Sequence, residues 1–168
     1  MEKLGIFSIW DLECYRKGVR VWDASYHNVM TTEGRNGMLN ATFAGGTQIT
    51  SWYILLFESE TSPDVDTTYA TPVFTECTAY SESTRSLYVP ATPASGLITN
   101  AASKGTFTFT ADKTIYGGAL VGGGTAASTK GNVAGGGTLM CAAQFSDTKQ
   151  ALVDDILRVT VSIQLNAV

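Results

Sequence analysis

The C-terminal segment of the chain alternates between apolar and polar residues. Its apolar positions are Leu157, Val159, Val161, Ile163 and Leu165, and its polar positions are Arg158, Thr160, Ser162 and Gln164. Successive side chains of a β-strand point to opposite faces. The segment is therefore predicted to be a strand that packs one face on a core and turns the other towards water or a neighbour.

A similar alternation near the N-terminus predicts a β-hairpin. Trp10, Leu12 and Cys14 occupy every second position of residues 10–16. Lys17-Gly18 follows as a tight turn into a second strand at residues 19–23. The two strands should therefore pair with each other.

The apolar spacing becomes helical after this hairpin. Thr31-Thr32-Glu33 offers an N-cap and an acidic first turn, and Gly45-Gly46 can end the element. We expect one short helix near residues 32–44. Gly34 and Gly37 weaken it, because glycine costs about 1 kcal/mol relative to alanine inside a helix.

The rest of the chain predicts strands separated by turns. Residues 52–57 are continuously apolar, which predicts a strand covered on both faces, and residues 59–72 form a polar loop. Further strands are predicted at residues 73–80, 85–89, 105–110, 114–121 and 138–145. These elements predict a mainly β fold over residues 1–168, a single antiparallel β-sandwich domain of jelly-roll-like type.

Residues 117–137 form the one segment of biased composition. Gly122-Gly123-Gly124 is followed by Thr125, and the pattern recurs as Gly135-Gly136-Gly137 followed by Thr138. Glycine-dense chain of this kind cannot form a core and loses the most entropy when it becomes ordered. We expect a long mobile loop that orders only when something outside the domain holds it.

Composition restricts the partners of the protein. Only 15% of the residues are charged, the net charge is −4 and the 11 basic residues are scattered, so direct nucleic-acid binding is not expected. Hydroxyl-rich surface costs less to cover than charged surface, which favours lasting contacts. No segment approaches the roughly 18 apolar residues of a membrane helix, and the N-terminus lacks the apolar core of a signal peptide. We expect synthesis in the cytoplasm and no membrane partner.

Few residues offer catalytic or metal-binding chemistry. His27 is the only histidine, so a metal triad has no second histidine ligand and a Ser/His/Asp relay would depend on this one residue. Cys14, Cys77 and Cys141 lie far apart in strand-like segments and are predicted to be small buried hydrophobes. We expect no enzyme activity, no catalytic residue and no cofactor.

An acidic loop is the one place where a cation is conceivable. Its carboxylates are Glu58, Glu60, Asp64 and Asp66. The ligand spacing and the turn glycine of a calcium loop are missing, so a solvated loop is favoured and no metal is expected.

Aromatic and glycine residues are the candidates for an interface. Trp22 is out of phase with Val19 and Val21, so its ring is predicted to face outwards, where aromatic side chains dominate binding energy. Trp52 and Tyr53 are expected to fill the core instead. The candidate interface residues are Trp22, Tyr26, Gly122, Gly123, Gly124, Gly135, Gly136 and Gly137.

Several local strings occur in a characteristic order. They are Val21-Trp22-Asp23, Ser51-Trp52-Tyr53, Thr78-Ala79-Tyr80-Ser81-Glu82-Ser83-Thr84-Arg85 and Ile115-Tyr116-Gly117-Gly118-Ala119. Over residues 10–165 the chain resembles a group of small virion proteins of tailed bacteriophages that are encoded near the head genes. The Thr78-to-Arg85 string together with Ser51-Trp52-Tyr53 is the most specific part.

The resemblance implies a non-enzymatic capsid decoration or cement protein. Such a protein would be made in the cytoplasm of the host bacterium and would lie on the capsid surface of the virion. It would bind the major capsid protein and would associate with itself as a dimer or trimer. This step is an analogy from fold and gene neighbourhood.

Two alternatives stay open. The protein could be a neck, tail or fibre adaptor or a carbohydrate-binding module of the virion, which copy number per particle would distinguish from a capsid role. It could also be a carbohydrate-active enzyme on a jelly-roll scaffold, which requires two carboxylates that converge in a concave pocket.

Overall fold

The structure is a computed structural model that describes residues 4–131 and 134–167. In chain order, its elements are β1 (Leu4–Arg16), β2 (Val19–His27), β3 (Val29–Met30), α1 (Thr32–Phe43), β4 (Trp52–Phe57), β5 (Ser86–Tyr88), β6 (Leu97–Thr99), β7 (Gly105–Thr108), β8 (Lys113–Gly122), β9 (Thr138–Ala151) and β10 (Ile156–Ala167). The fold is mainly β with one helix in the described part of the chain, as the sequence predicted.

The strands form two antiparallel sheets. The first has the order β2-β1-β10, and β6 and β7 both pair with the free edge of β10. The second has the order β3-β9-β8-β4-β5. Buried side chains from both sheets make up the main core, so the two sheets pack as a β-sandwich.

The alternating segments at the two ends of the chain pair with each other. β1 and β10 are antiparallel neighbours, with Trp10 opposite Val161 and Leu12 opposite Val159. All four side chains are buried in the main core. Burial of each aliphatic side chain contributes about 1.5–3 kcal/mol to the stability of the fold. The predicted hairpin of β1 and β2 also forms.

β4 is covered on both of its faces. Ile54 and Leu56 belong to the main core between the sheets. Leu55 and Phe57 point the other way into a second core, where Phe74 stacks on Phe57 with ring centroids 4.9 Å apart. The continuous apolar run is thus explained, because β4 lies inside its sheet between β8 and β5.

The structure differs from the sequence prediction in two segments. Residues 73–80 do not form a strand but make two isolated bridges, Glu76 with Phe57 and Tyr80 with Phe109. The strand predicted at residues 114–121 forms as β8 and extends to Gly122, so the glycine loop begins at Gly123 rather than at residue 117. A Cβ at Gly118 would lie 2.6 Å from the ring of Trp10, so glycine here marks a close approach inside a strand rather than a turn.

The helix begins and ends as the sequence predicted. Thr31 is the N-cap, and its hydroxyl accepts the N–H of Gly34 at 2.9 Å. Glu33 in the first turn accepts the N–H of Leu139 at 2.7 Å and that of Tyr69 at 3.0 Å, which ties α1 to β9 and to the polar loop. The chain leaves the helix through Gly45, whose φ of +72° is left-handed.

We expect alanine to have opposite effects on the free energy of unfolding at the two glycines of α1. A Cβ at Gly34 would lie 2.4 Å from the backbone oxygen of Met140, so Gly34→Ala should lower the free energy of unfolding by about 2 kcal/mol or more. At Gly37 a Cβ meets only the Thr138 methyl, at 3.7 Å, so Gly37→Ala should raise it by up to about 1 kcal/mol. Urea unfolding of both variants measures the difference, and equal effects would contradict this packing of α1 on β9.

A buried carboxylate joins the turn before β10 to the hairpin. Asp155 is fully buried and accepts two hydrogen bonds of 2.8 Å from Arg16 and one of 2.9 Å from the N–H of Leu152. The hydrogen bonds from Arg16 hold the pKa of Asp155 below its ordinary value, although burial opposes the shift. Ionised Asp155 therefore stabilises the folded state.

This geometry predicts an acid-dependent loss of stability. Because the folded pKa is depressed, the contribution is complete above the ordinary aspartate value of about 3.9 and is lost as the pH falls through the folded pKa. Asp155→Asn should be less stable than the parent at pH 7, and the gap should narrow below about pH 4. Melting temperatures across pH measure it, and exposed Asp23→Asn is the control. A gap that does not change with pH would contradict the role of the charge.

Candidate interaction surface

The two aromatic interface candidates close one edge of the sandwich. Trp22 is half-buried against the main core, and its Nε1 donates to the Gln150 carbonyl at 3.0 Å. Tyr26 is buried, stacks on Phe145 at 4.3 Å and donates its hydroxyl to Asp147 at 2.7 Å. Both link β2 to β9 across the sheets, so their rings are largely used within the chain.

A β-bulge explains why the prediction for Trp22 was wrong. Cys14 pairs with Trp22 and Tyr15 pairs with Arg20, which leaves Val21 as an extra residue. The extra residue breaks the period of two, so Trp22 lies on the same face as buried Cys14. Trp52 and Tyr53, predicted to fill the core, are half-buried and pack against the main and the second core respectively.

The glycine loop is held by its own chain wherever it is described. The N–H of Arg85 donates to Ser128 at 2.9 Å, and the Arg85 guanidinium donates to Ala127 at 3.0 Å. The N–H of Gly131 donates to Glu76 at 2.8 Å. The expectation that only an outside partner could hold this loop is therefore wrong for residues 123–131, because carbonyl groups of the loop satisfy donors that are buried beneath it.

A buried ion pair anchors these contacts. The Arg85 guanidinium donates to both oxygens of Glu76, at 2.8 and 2.7 Å, and both side chains are fully buried. Arg85 also donates to the hydroxyl of Tyr69, which lies in the second core. A bidentate pair of this kind fixes both direction and distance.

The string from Thr78 to Arg85 folds around this pair. Lys130 donates to the carbonyls of Tyr80 at 3.0 Å and Glu82 at 2.8 Å, and its ammonium lies 4.2 Å from the centroid of the Tyr80 ring. Glu82 in turn accepts the hydroxyl of Thr108 at 2.9 Å. The most specific string of the sequence is thus used to attach the loop to the sandwich.

Beside the loop lies a cavity of about 490 Å³, which we call the polar cavity. It lies between the linker of residues 47–51 and the glycine loop. Hydroxyl groups line it, together with the Gln48 amide and the ring of Tyr53. Of the candidate glycines, Gly123, Gly124 and Gly136 line it. Gly122 lies under the Trp52 ring, Gly137 lies against Tyr69, and Gly135 accepts the N–H of Thr125.

A second cavity of about 500 Å³, which we call the apolar cleft, opens at the same end of the sandwich. Both sheets and α1 line it, and Gln48, Ile49 and Thr50 separate it from the polar cavity. Its walls include Met38, Trp52, Tyr88, Leu97, Leu120, Met140, Ile163 and Leu165. Sequence reasoning missed this cleft, because its walls come from segments that are distant in the chain.

Among the residues that the structure describes, none that lines either of these two cavities is charged. Two carboxylates of the acidic loop are bound elsewhere: Glu58 pairs with Lys113 at 2.8 Å, and Asp64 accepts the hydroxyl of Thr67 at 3.0 Å. The described walls of the two cavities thus contain no pair of converging carboxylates, the arrangement that the carbohydrate-active alternative requires.

Other reactive groups are buried or isolated among the residues that the structure describes. Cys14, Cys77 and Cys141 are buried and free, as expected, and burial raises the pKa of the Cys14 thiol to about 12 and that of Cys77 to about 11. His27 is exposed at the end of β2. Residues 4–131 and 134–167 contain no group of three side chains able to hold a metal. They also contain no helix long and apolar enough to cross a membrane.

Comparison with known proteins found no match to a family model, to a curated protein or to a solved structure.

The Arg85–Glu76 pair predicts a large and specific loss of stability. Arg85→Met leaves a buried carboxylate without its partner and should cost about 3–5 kcal/mol, whereas the double variant with Glu76→Leu should recover much of that loss. Arg20→Ala, which breaks an exposed pair at 3.8 Å, should change stability by less than about 0.5 kcal/mol.

Urea unfolding measures these changes, and limited proteolysis reports on the loop. Arg85→Met should become more sensitive to cleavage within residues 123–131 under conditions where the parent is resistant. If Arg85→Met were as stable and as resistant as Arg20→Ala, the pair would not anchor the loop.

Proposed function

We propose that the protein is a non-enzymatic structural protein of a bacteriophage virion. In this role it decorates the capsid, binds the lattice of the major capsid protein and stabilises the DNA-filled head. It acts as a homo-oligomer on the capsid surface and is made in the cytoplasm of the host. The resemblance of its Ser51-to-Tyr53 and Thr78-to-Arg85 strings to small phage virion proteins supports this role.

The observation that carries the proposal is the uncharged end of the sandwich. Two cavities of about 490 and 500 Å³ lie side by side there, and every described residue that lines them is uncharged. A surface of this kind loses little solvation energy when another protein covers it. It suits a contact that forms once and persists.

The polar cavity is the part of this end that we assign to the shell. Thr47, Gln48, Thr50 and Ser51 are exposed along the linker, and the glycine loop forms the opposite wall. Hydroxyl and amide groups can form hydrogen bonds with backbone of the capsid protein. Each contact can be modest, because an oligomer that engages several subunits gains affinity through effective concentration.

A second candidate function is carbohydrate binding by a neck, tail or fibre protein. It is favoured by the same polar cavity, which combines neutral hydrogen-bonding groups with the aromatic ring of Tyr53. Neutral sugars present hydroxyl groups and apolar ring faces, so their chemistry matches these walls. Carbohydrate binding differs from capsid decoration in the number of copies per virion and in the ligand that is bound.

Quantitative mass spectrometry of purified virions separates the two roles. A decoration protein should be present in hundreds of copies per particle, and a neck or tail protein in about a dozen or fewer. On shells that lack the protein, added parent protein should bind, whereas Ser51→Glu in the polar cavity should reduce occupancy. Val153→Glu, at an exposed residue next to the start of β10, is the control. A low copy number with binding to host glycans would overturn the capsid role in favour of the second.

A further inference from the structure

Strand β2 leaves one edge of the first sheet open. β1 pairs with one side of β2, and no described strand pairs with its other side. An open edge presents backbone N–H and C=O groups that a further extended strand can bind. The edge of β2 is thus a surface to which another strand can be added.

The pairing of β2 with β1 identifies the residues whose backbone faces this open edge. The N–H of Asn28 donates to the carbonyl of Ser8 at 3.2 Å, in the register that β2 keeps with β1. Antiparallel strands alternate between hydrogen-bonded and non-hydrogen-bonded pairs. The N–H and C=O groups of Asp23, Ser25 and His27 therefore point away from β1, and none of them forms a hydrogen bond elsewhere in the described chain.

The open edge is regular only over residues 23–27. At one end, the β-bulge at Val21 interrupts the pairing pattern. At the other end the chain leaves the sheet, because Val29 begins β3 in the second sheet. The side chains of Asp23, Ser25 and His27 are exposed within this stretch. A short strand is therefore the partner that fits the edge, because a longer one gains no further regular pairs.

A second copy of β2 matches this short edge best in one register. When two β2 strands run antiparallel with Ser25 opposite Ser25, Asp23 of each copy lies opposite His27 of the other. All three outward-facing residues of both copies then belong to hydrogen-bonded pairs, and each such pair exchanges two backbone hydrogen bonds. A shift to the next register in either direction pairs fewer of these residues.

Charge favours the same register. The chain carries a net charge of −4, so two copies repel in most orientations. β2 contains one arginine and one aspartate, so this edge is an exception to the overall acidity. The register centred on Ser25 places the carboxylate of Asp23 opposite the imidazole of His27, which can donate a hydrogen bond to it. A register centred on Asp23 would instead place two carboxylates directly opposite each other.

We propose that the protein forms a two-fold symmetric dimer in which the β2 edges of two copies pair antiparallel around Ser25. Such an interface closes at two copies and joins the first sheets of both into one continuous sheet. The dimer names the surface and the stoichiometry of the self-association in the proposed function and rests on it in that respect. The described walls of the polar cavity include no residue of β2, so that cavity stays available to the shell.

Analytical ultracentrifugation of the isolated full chain tests the dimer. The parent should sediment as a dimer with a measurable dissociation constant. Ser25→Pro removes the N–H next to the two-fold axis but no hydrogen bond to β1, because this N–H points away from β1. It should weaken dimerisation by about a hundredfold or more, since every dimer contains the altered residue twice. Ser25→Thr, which keeps the N–H, is the matched control and should dimerise like the parent.

Disulfide cross-linking tests the register and does not depend on the folding of Ser25→Pro. Opposite residues of a hydrogen-bonded pair have Cα atoms about 5.5 Å apart, a separation that a disulfide can span. Oxidised Ser25→Cys should therefore form a covalent dimer. Asp23→Cys alone and His27→Cys alone should not, because identical residues then lie about 13 Å apart along the strands, but an equimolar mixture of the two should. The three native cysteines are buried and provide no background.

Three results would overturn the proposal. They are a parent protein that is monomeric at every concentration, a dimer that Ser25→Pro leaves intact, and cross-linking of Asp23→Cys alone as efficient as that of Ser25→Cys. The last result would place the contact in another register or on another surface. Because these measurements use isolated protein, failure of the dimer and failure of the capsid role are separate outcomes.

Discussion

The segments that cover the outer face of the second sheet are held in place by the buried ion pair of Arg85 and Glu76. Burial of an unpaired charge is too costly, so the guanidinium of Arg85 and the carboxylate of Glu76 must meet in one geometry. Arg85 directs its remaining donors to Tyr69 and to carbonyls of the glycine loop, and Glu76 accepts an N–H from that loop. The ion pair and its further hydrogen bonds thus fix the course of the glycine loop, which has few side chains large enough to be held by apolar packing.

Paired charged side chains and uncharged surface lie in different parts of the molecule. Described acidic residues such as Asp155, Glu58 and Glu76 are engaged with basic partners inside turns and loops. The described residues that line the two cavities at one end of the sandwich are all uncharged. Contacts made there depend on apolar burial and neutral hydrogen bonds, so they gain little from electrostatic steering and depend little on salt.

The sequence failed where tertiary contacts overrode a local period. A bulge at Val21 shifts Trp22 onto the inner face, and no local signal distinguishes it from regular alternation. Residues 73–80 are rich in apolar residues because Phe74, Cys77 and Tyr80, each three positions apart, are buried in two different cores, and they do not form a strand. Neither cavity could be predicted from the sequence, because the walls come together only when both sheets and the helix are packed.

The sequence by itself determined the mainly β class, the terminal strands, the hairpin and the helix with its Thr31 cap. These elements depend on periodicity and on contacts between neighbours in the chain, which are visible locally. Only the tertiary structure decided the course of the glycine loop, the orientation of Trp22 and the uncharged end. Those features depend on pairings such as Arg85 with Ala127 and on which strands become neighbours in a sheet. Residue spacing along the chain carries no information about such long-range contacts, because they exist only once the two sheets have packed.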